Sequence, residues 1–225
     1  MPPGCSVDVH DELPAVTSDG VALDGRSLGK RGAATRRRLL DATASLLETH
    51  GVRDLRVVEI AREVGTSPAT FYQYFRDVED AVLALAEEVA EDLAPVAEVL
   101  GRSWDGDAGL ENARRMVEAF LDSWDLHRAV LRTRNLAAQE GDQRFRAVRN
   151  ASLQPLTEAL AERIAESQRA GSVDANVTPM AAAAAMVAMT ERVSAFHREL
   201  EALDIGRAEL VETTARIIHT TATGT

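Results

Sequence analysis

The sequence predicts an all-α chain. Apolar residues recur every three or four positions along most of its 225 residues, which is the period of helices with one buried face. Alanine and leucine carry the apolar content, whereas aromatics make up only 4% of the chain. That balance favours helices over sheets. No stretch of strand length alternates apolar with polar residues, and no internal repeat is present.

Composition divides the chain into three segments: a mobile tail over residues 1–30, a compact head over 31–78 and a helical body over 79–225. The tail holds three prolines, four glycines and five acidic residues without sustained periodicity. The net charge of −11 is unevenly spread. Residues 1–29 contribute −4 and residues 81–225 contribute −8, while residues 30–80 hold nine Lys/Arg against eight Asp/Glu. Five of those nine cations fall between Lys30 and Arg38. A basic entry to an acidic chain suits contact with phosphates; a solvated charged face has the same composition. Apolar residues make up 45%, enough for a sizeable core. The single cysteine, Cys5, rules out an intrachain disulfide and fits a reducing cytoplasm. The N-terminus lacks a signal-peptide layout and no apolar run is long enough to span a bilayer, so no membrane partner is expected.

The first helix is expected over about residues 35–50. Leu39, Thr43, Leu46 and His50 form one stripe, with Leu40 and Leu47 beside it and Gly51 as its stop. Arg36, Arg37 and Arg38 crowd its N-terminus, where they oppose the helix dipole unless an anion lies nearby. Val57, Ile60, Ala61 and Val64 then give a short helix one apolar face, and Gly65 follows where the chain must leave it through a positive φ. Ser67-Pro68 starts the next helix, the hydroxyl as cap and the proline at the first helical position. Two turns are expected from Ala69 to Phe75. Phe71 and Phe75, four apart, face inward; Thr70, Gln73 and Tyr74 fall on other faces, with Tyr72 at an edge.

Two short helices and a tight turn over residues 56–75, the second with small polar residues at its exposed start, are what a major-groove reader needs. An ordinary helical hairpin has the same local pattern. The stretch resembles the DNA-binding domain of the TetR family of transcriptional repressors. The resemblance is carried by Ile60-Ala61, Val64-Gly65-Thr66-Ser67, Thr70-Phe71-Tyr72 and Tyr74-Phe75, then by Glu79 and Ala81-Val82-Leu83, with the amphipathic run of residues 38–51 in front. It covers about residues 34–85. It implies an N-terminal three-helix helix-turn-helix DNA-binding domain and a C-terminal helical domain for ligand binding and dimerisation. It departs from the family pattern at Arg56, where Ser or Thr usually caps, at Ala69, where Gly is common, and at Val78, where a Lys usually holds a phosphate; Arg76 is near enough to replace that contact.

Asp77 is placed to cap a long helix whose stripe is Val78, Val82, Leu85, Val89, Leu93, Val96 and Leu100, bent at Pro95. In the family, this helix transmits ligand binding to the DNA heads. A loop over 101–109 follows, then helices over about 109–124 and 126–139. Asp142 opens another to residue 170, kinked near Pro155, with Phe145, Val148, Leu153, Leu156, Leu160 and Ile164 inward and Gly171 as its stop. Thr178-Pro179 opens a helix to about residue 203, and the last runs over about 206–221.

Two copies of such a regulator would grip a palindromic double-stranded operator. Thr66, Ser67, Thr70, Tyr72 and Tyr74 are expected on phosphates, and Ala69, Thr70 and Gln73 on base edges. Arg36, Arg37 and Arg56, with Arg76, would fix register on the backbone. Trp104, Met116, Phe120, Trp124, Phe145, Met186, Met189 and Phe196, with Thr190, are candidate walls of a pocket for a small apolar ligand; the same residues at helical spacing would simply form a core. Asn135, Gln139 and Arg192 are further polar candidates. Small residues at 181–185 permit close helix approach, and the resemblance implies a homodimer through the last two helices. No catalytic constellation, glycine-rich phosphate loop, cofactor motif or metal-ligand set is present; His197 and Glu201, four apart, do not define a zinc site. The rival expectations are a helical protein-binding adaptor without DNA activity and a small helical enzyme on lipid-like substrates.

Overall fold

The computed structural model describes residues 27–92, 96, 104 and 106–224. Among them are eight helices and no strand element: α1 (Lys30–Leu47), α2 (Val57–Val64), α3 (Pro68–Phe71), α4 (Val78–Asp92), α5 (Gly106–Glu140), α6 (Gln143–Arg169), α7 (Pro179–Glu201) and α8 (Arg207–Thr223). The expected tail residues 1–26, Leu93, Pro95 and Leu100 lie outside the described residues. No helix among those described is long and apolar enough to cross a membrane.

The head follows its punctuation. α1 starts at Lys30, earlier than expected, because Gly29 serves as the cap and its carbonyl accepts from Ala33 N at 3.0 Å. It also ends earlier, at Leu47. The Leu46 carbonyl takes the amides of both Thr49 and His50, so the last turn tightens before Gly51, which is not among the positive-φ glycines. Arg56 caps α2 without a hydroxyl. Its own N–H donates to Glu59 Oε2 at 2.9 Å, the reciprocal half of a capping box. Gly65 leaves α2 at φ 70°, and Thr66 N reaches back to Ala61 O at 2.8 Å, a Schellman closure. Arg38 on α1 adds a donor to Val64 O at 2.6 Å.

α3 is one turn, not the two expected. After Phe71 the amides of Gln73 and Tyr74 bond three residues back, to Thr70 and Phe71. A run of aromatic residues has poor helix propensity and continues as tight turns. Phe71 and Phe75 are nonetheless both buried, with ring centroids 5.4 Å apart. Asp77 then caps α4 by accepting from Asp80 N at 2.8 Å, and Val78, Val82, Leu85 and Val89 are buried.

In the body, α5 holds the two helices expected over 109–139, which meet at a kink where His127 leaves helical geometry (φ −123°, ψ 26°). Gly109 is a helical glycine rather than a loop end: a Cβ there would lie 2.1 Å from the Trp104 carbonyl oxygen. Asp142 caps α6 as expected, accepting from Arg144 N at 2.9 Å, and the helix runs through Pro155. Thr178 stands at the cap position of α7, but its side chain makes no capping bond; Pro179 alone marks the start.

Two apolar clusters hold the fold. The first joins Leu39, Ile60, Phe71 and Phe75 of the head to Val82 and Leu85 of α4 and on to Trp124, Leu131 and Phe145. The second packs Trp104, Met116, Phe120, Leu160, Met186 and Ile218 within the body. The head's core is therefore continuous with the near end of the body through α4.

Candidate nucleic-acid interface

The side of α3 away from Phe71 is bare. Ser67, Ala69, Tyr72 and Gln73 are exposed, and Thr66, Thr70 and Tyr74 are half-buried. Ser67 Oγ accepts from Thr70 N at 3.2 Å and lies 3.1 Å from Thr70 Oγ1, so the cap orders the very residues expected to meet DNA. Between α1 and this element runs an open groove of about 610 Å³ lined in part by Arg31, Thr35, Arg38, Thr66, Thr70 and Tyr74. Hydroxyls and guanidiniums in one groove make a surface rich in phosphate donors. Arg31 and Arg38 belong to the basic run between Lys30 and Arg38 that the sequence marks for phosphates; Thr35 was not singled out. Their signal was the one-turn spacing of Arg31, Thr35 and Arg38 on α1.

The four expected arginines part company. Arg36 is only 7% exposed, and its guanidinium lies over the Phe75 ring, 5.4 Å from the centroid. It is a packing residue of the head, and the expected phosphate contact is corrected on that ground. Arg37 is exposed and donates to Asp41 and to Glu88 of α4. Burial works against its charge, but the two carboxylates outweigh that and hold its pKa above the ordinary value. Arg56 is exposed. Arg76 is exposed too, but its guanidinium is held by Asp80 at 2.7 Å, which raises its pKa. Val78 is buried, so no side chain there reaches a phosphate.

The expected ligand walls divide between the two apolar clusters. Trp104, Met116, Phe120 and Met186 share the second cluster, with Met189 half-buried against it. Trp124 and Phe145 belong to the first. Thr190 is buried and bonded to Met186 O at 2.8 Å. Phe196 lines no interior: it is 39% exposed, with the Arg192 guanidinium 3.8 Å above its ring. Gln139 is exposed. His197 Nε2 lies 3.0 Å from Asp125 Oδ1.

What the sequence did not reveal is a buried charge cluster. Arg134 on α5 and Arg149 on α6 both donate to Glu191 on α7; Asn135 joins at 3.2 Å and Ser152 accepts from Arg134 at 3.4 Å. Burial pulls the pKa of Arg134 down to about 10, against the attraction of Glu191. Only the long-range pairing of three helices creates this cluster, so local pattern carries no trace of it.

Comparison with known proteins agrees with this architecture. The family profile described as bacterial regulatory proteins, tetR family, matches residues 39–85, and that described as tetracyclin repressor-like, C-terminal domain, matches residues 96–225. The HTH-type transcriptional regulator EthR of Mycobacterium tuberculosis is 30% identical over 110 residues, 48% of this chain and 50% of that protein. The uncharacterized HTH-type transcriptional regulator Rv0472c of the same organism is 30% identical over 115 residues, 50% of this chain and 47% of that protein. The chain thus spans about half the length of the curated relatives it matches. Among solved structures, the fatty acid degradation regulator FadR from Bacillus halodurans superposes with a TM-score of 0.63 at 16% identity, covering 86% of this chain and 96% of that one. The transcriptional regulator FadR from Bacillus subtilis, solved in complex with stearoyl-CoA, gives 0.62 at 15% identity, covering 84% and 98%. These likenesses speak for the fold alone. With both halves of the chain matched, most of it by the C-terminal profile, the protein belongs to the TetR family of bacterial regulatory proteins.

Proposed function

We propose that the protein is a cytoplasmic transcriptional repressor that binds a palindromic operator as a homodimer and is released by a small-molecule ligand. The observation that carries this reading is the bare polar side of α3 and the turn after it: Ser67, Ala69, Tyr72 and Gln73 are exposed while Phe71 and Phe75 anchor the segment. Two copies would set their α3 elements in successive major grooves, roughly 34–36 Å apart. Thr66, Ser67, Thr70, Tyr72 and Tyr74 would contact phosphates together with Arg31, Arg37 and Arg56. Ala69, Thr70 and Gln73 would meet base edges.

The dimer seam is assigned to α7 and α8. Ala181 and Ala185 of α7 and Ala208, Thr213 and Ile217 of α8 are exposed, and the small residues among them permit close helix approach. Ligand binding in the body would act through α4, which packs on α1, α5 and α6. It releases DNA only if the ligand prefers the spacing of heads that DNA does not.

Selection of bound duplexes from random DNA tests the reading. A two-fold-symmetric consensus is the expected result. Failure to enrich any sequence, or a chain that stays monomeric at working concentration, would remove it.

A further inference from the structure

We infer that the groove between α6 and α7 binds an amphipathic monocarboxylate whose head group takes Arg149 over from Glu191. The inference rests on the body being ligand-responsive, and it names the chemistry of the ligand and its trigger.

Among the described residues, Glu191 is the one carboxylate bonded to Arg134 or Arg149. Two guanidiniums on one carboxylate leave the cluster with an excess positive charge. It sits where Arg134 is 1% and Glu191 6% exposed. Uncompensated buried charge is costly, and a second carboxylate would balance it. Arg149 is the member that opens outward, its side chain 32% exposed. It spends two of its five donors on Glu191, and a planar guanidinium suits bidentate capture of another carboxylate.

Arg149 also forms one end of a groove of about 460 Å³. Leu153 and Thr157 of α6 and Met180, Ala184 and Val187 of α7 line its length. Glu158, bonded by Gln154 at 2.8 Å, stands at the other end, roughly 13 Å along α6 at the helical rise. The groove is cationic at one end, mostly apolar along its middle, where Gln154 and Thr157 are the polar exceptions, and acidic at the other. It fits one carboxylate with an apolar chain and disfavours a second carboxylate at the tail.

The placement gives the ligand leverage. Glu191 ties α7 to α5 through Arg134 and Asn135, and to α6 through Arg149. A carboxylate that draws Arg149 outward removes the α6 tie and leaves the α5 tie in place. α6 packs against α4, so a shift of α6 against α7 reaches the helix that carries the head.

Calorimetric titration of the full-length protein with decanoate, decanol and decanedioate tests this. Decanoate is expected to bind saturably at one per chain, with decanol and decanedioate at least tenfold weaker. Arg149→Gln and Thr157→Trp should each weaken decanoate at least tenfold. Thr157→Trp fills the groove without touching the charge cluster, so it decides the matter if Arg149→Gln fails to fold. Equal binding of decanol and decanoate, an undiminished Thr157→Trp, or no heat of binding at all would overturn the proposal. The titration contains no DNA, so failure of the repressor reading would leave its result untouched.

Discussion

Arg37 of α1 donates through Nη1 to Glu88 Oε2 of α4 at 2.6 Å, a direct bond between the candidate DNA surface and the helix that leads into the body. A DNA phosphate and Glu88 would compete for one guanidinium. Both side chains are partly exposed, so the pair is worth at most about 1 kcal/mol. Glu88→Gln should therefore tighten binding to every duplex by roughly two- to fivefold. Arg37→Gln should weaken every duplex alike and flatten the slope of log affinity against log salt by about one unit. Fluorescence anisotropy over a salt series measures both. An unchanged slope for Arg37→Gln removes it from the phosphate contacts.

Gln73 is exposed three residues beyond Thr70, whose amide the Ser67 cap holds, on the tight turn that ends α3. If its amide pairs with an adenine, Gln73→Ala should cost about 1–3 kcal/mol on the preferred site and relax preference at one base pair. Binding to a panel of single-position operator variants reads this out. Equal loss on all variants rejects base recognition by Gln73.

The boundaries that the sequence announced correctly are those written in single residues. Gly65, Ser67, Asp77 and Asp142 each stop or start a helix by a local bond that needs no distant partner. Thr178 shows the limit, because the residue type and the proline beside it are right and the hydroxyl is not used. Inward positions of the head were legible because Phe71 and Phe75 share a face at helical spacing. The fate of the arginines was not. Whether Arg36 points to solvent or stacks on Phe75 depends on a residue 39 positions away, and charge alone gives no hint of it. How the expected pocket walls divide was not legible for a related reason. Large apolar residues mark burial, but only packing decides which of the two clusters each joins, and Trp124 and Met186 fall in different ones.

Gly109 offers a test of packing away from any DNA contact. It lies inside α5 with the Trp104 backbone pressed against it, so even one methyl group would sit 2.1 Å from the Trp104 carbonyl oxygen and 2.8 Å from His219 Nε2. Alanine improves helix propensity by about 1 kcal/mol at an unstrained site. Here backbone must move, and overpacking of this kind costs about 1–3 kcal/mol or more. Gly109→Ala should therefore lower the urea midpoint despite the better helix former. A raised midpoint would mean that the segment around Trp104 yields freely.

Asp125 contributes to the acid end of the stability profile. It stands two residues before the α5 kink and accepts from His197, from Arg198 at 2.7 Å and from Arg207 at 2.9 Å, so it joins α5 to α7 and α8. Burial alone would raise its pKa; the bond from Arg198 and the charges of His197, Arg198 and Arg207 outweigh that and lower it below the ordinary 3.8. A carboxyl with a depressed folded pKa contributes stability that is fully present above the unfolded value and lost as pH falls through the folded one. The loss therefore lies below about pH 4. Solvent screens a carboxylate that is 35% exposed, so the contribution stays under about 1 kcal/mol. Asp125→Asn should cost that much at pH 7 and almost nothing near pH 2, which makes the variant's acid limb shallower than that of the parent. Chemical denaturation at both pH values checks it. A constant difference between the two proteins across the range would show that Asp125 acts through packing and not through its charge.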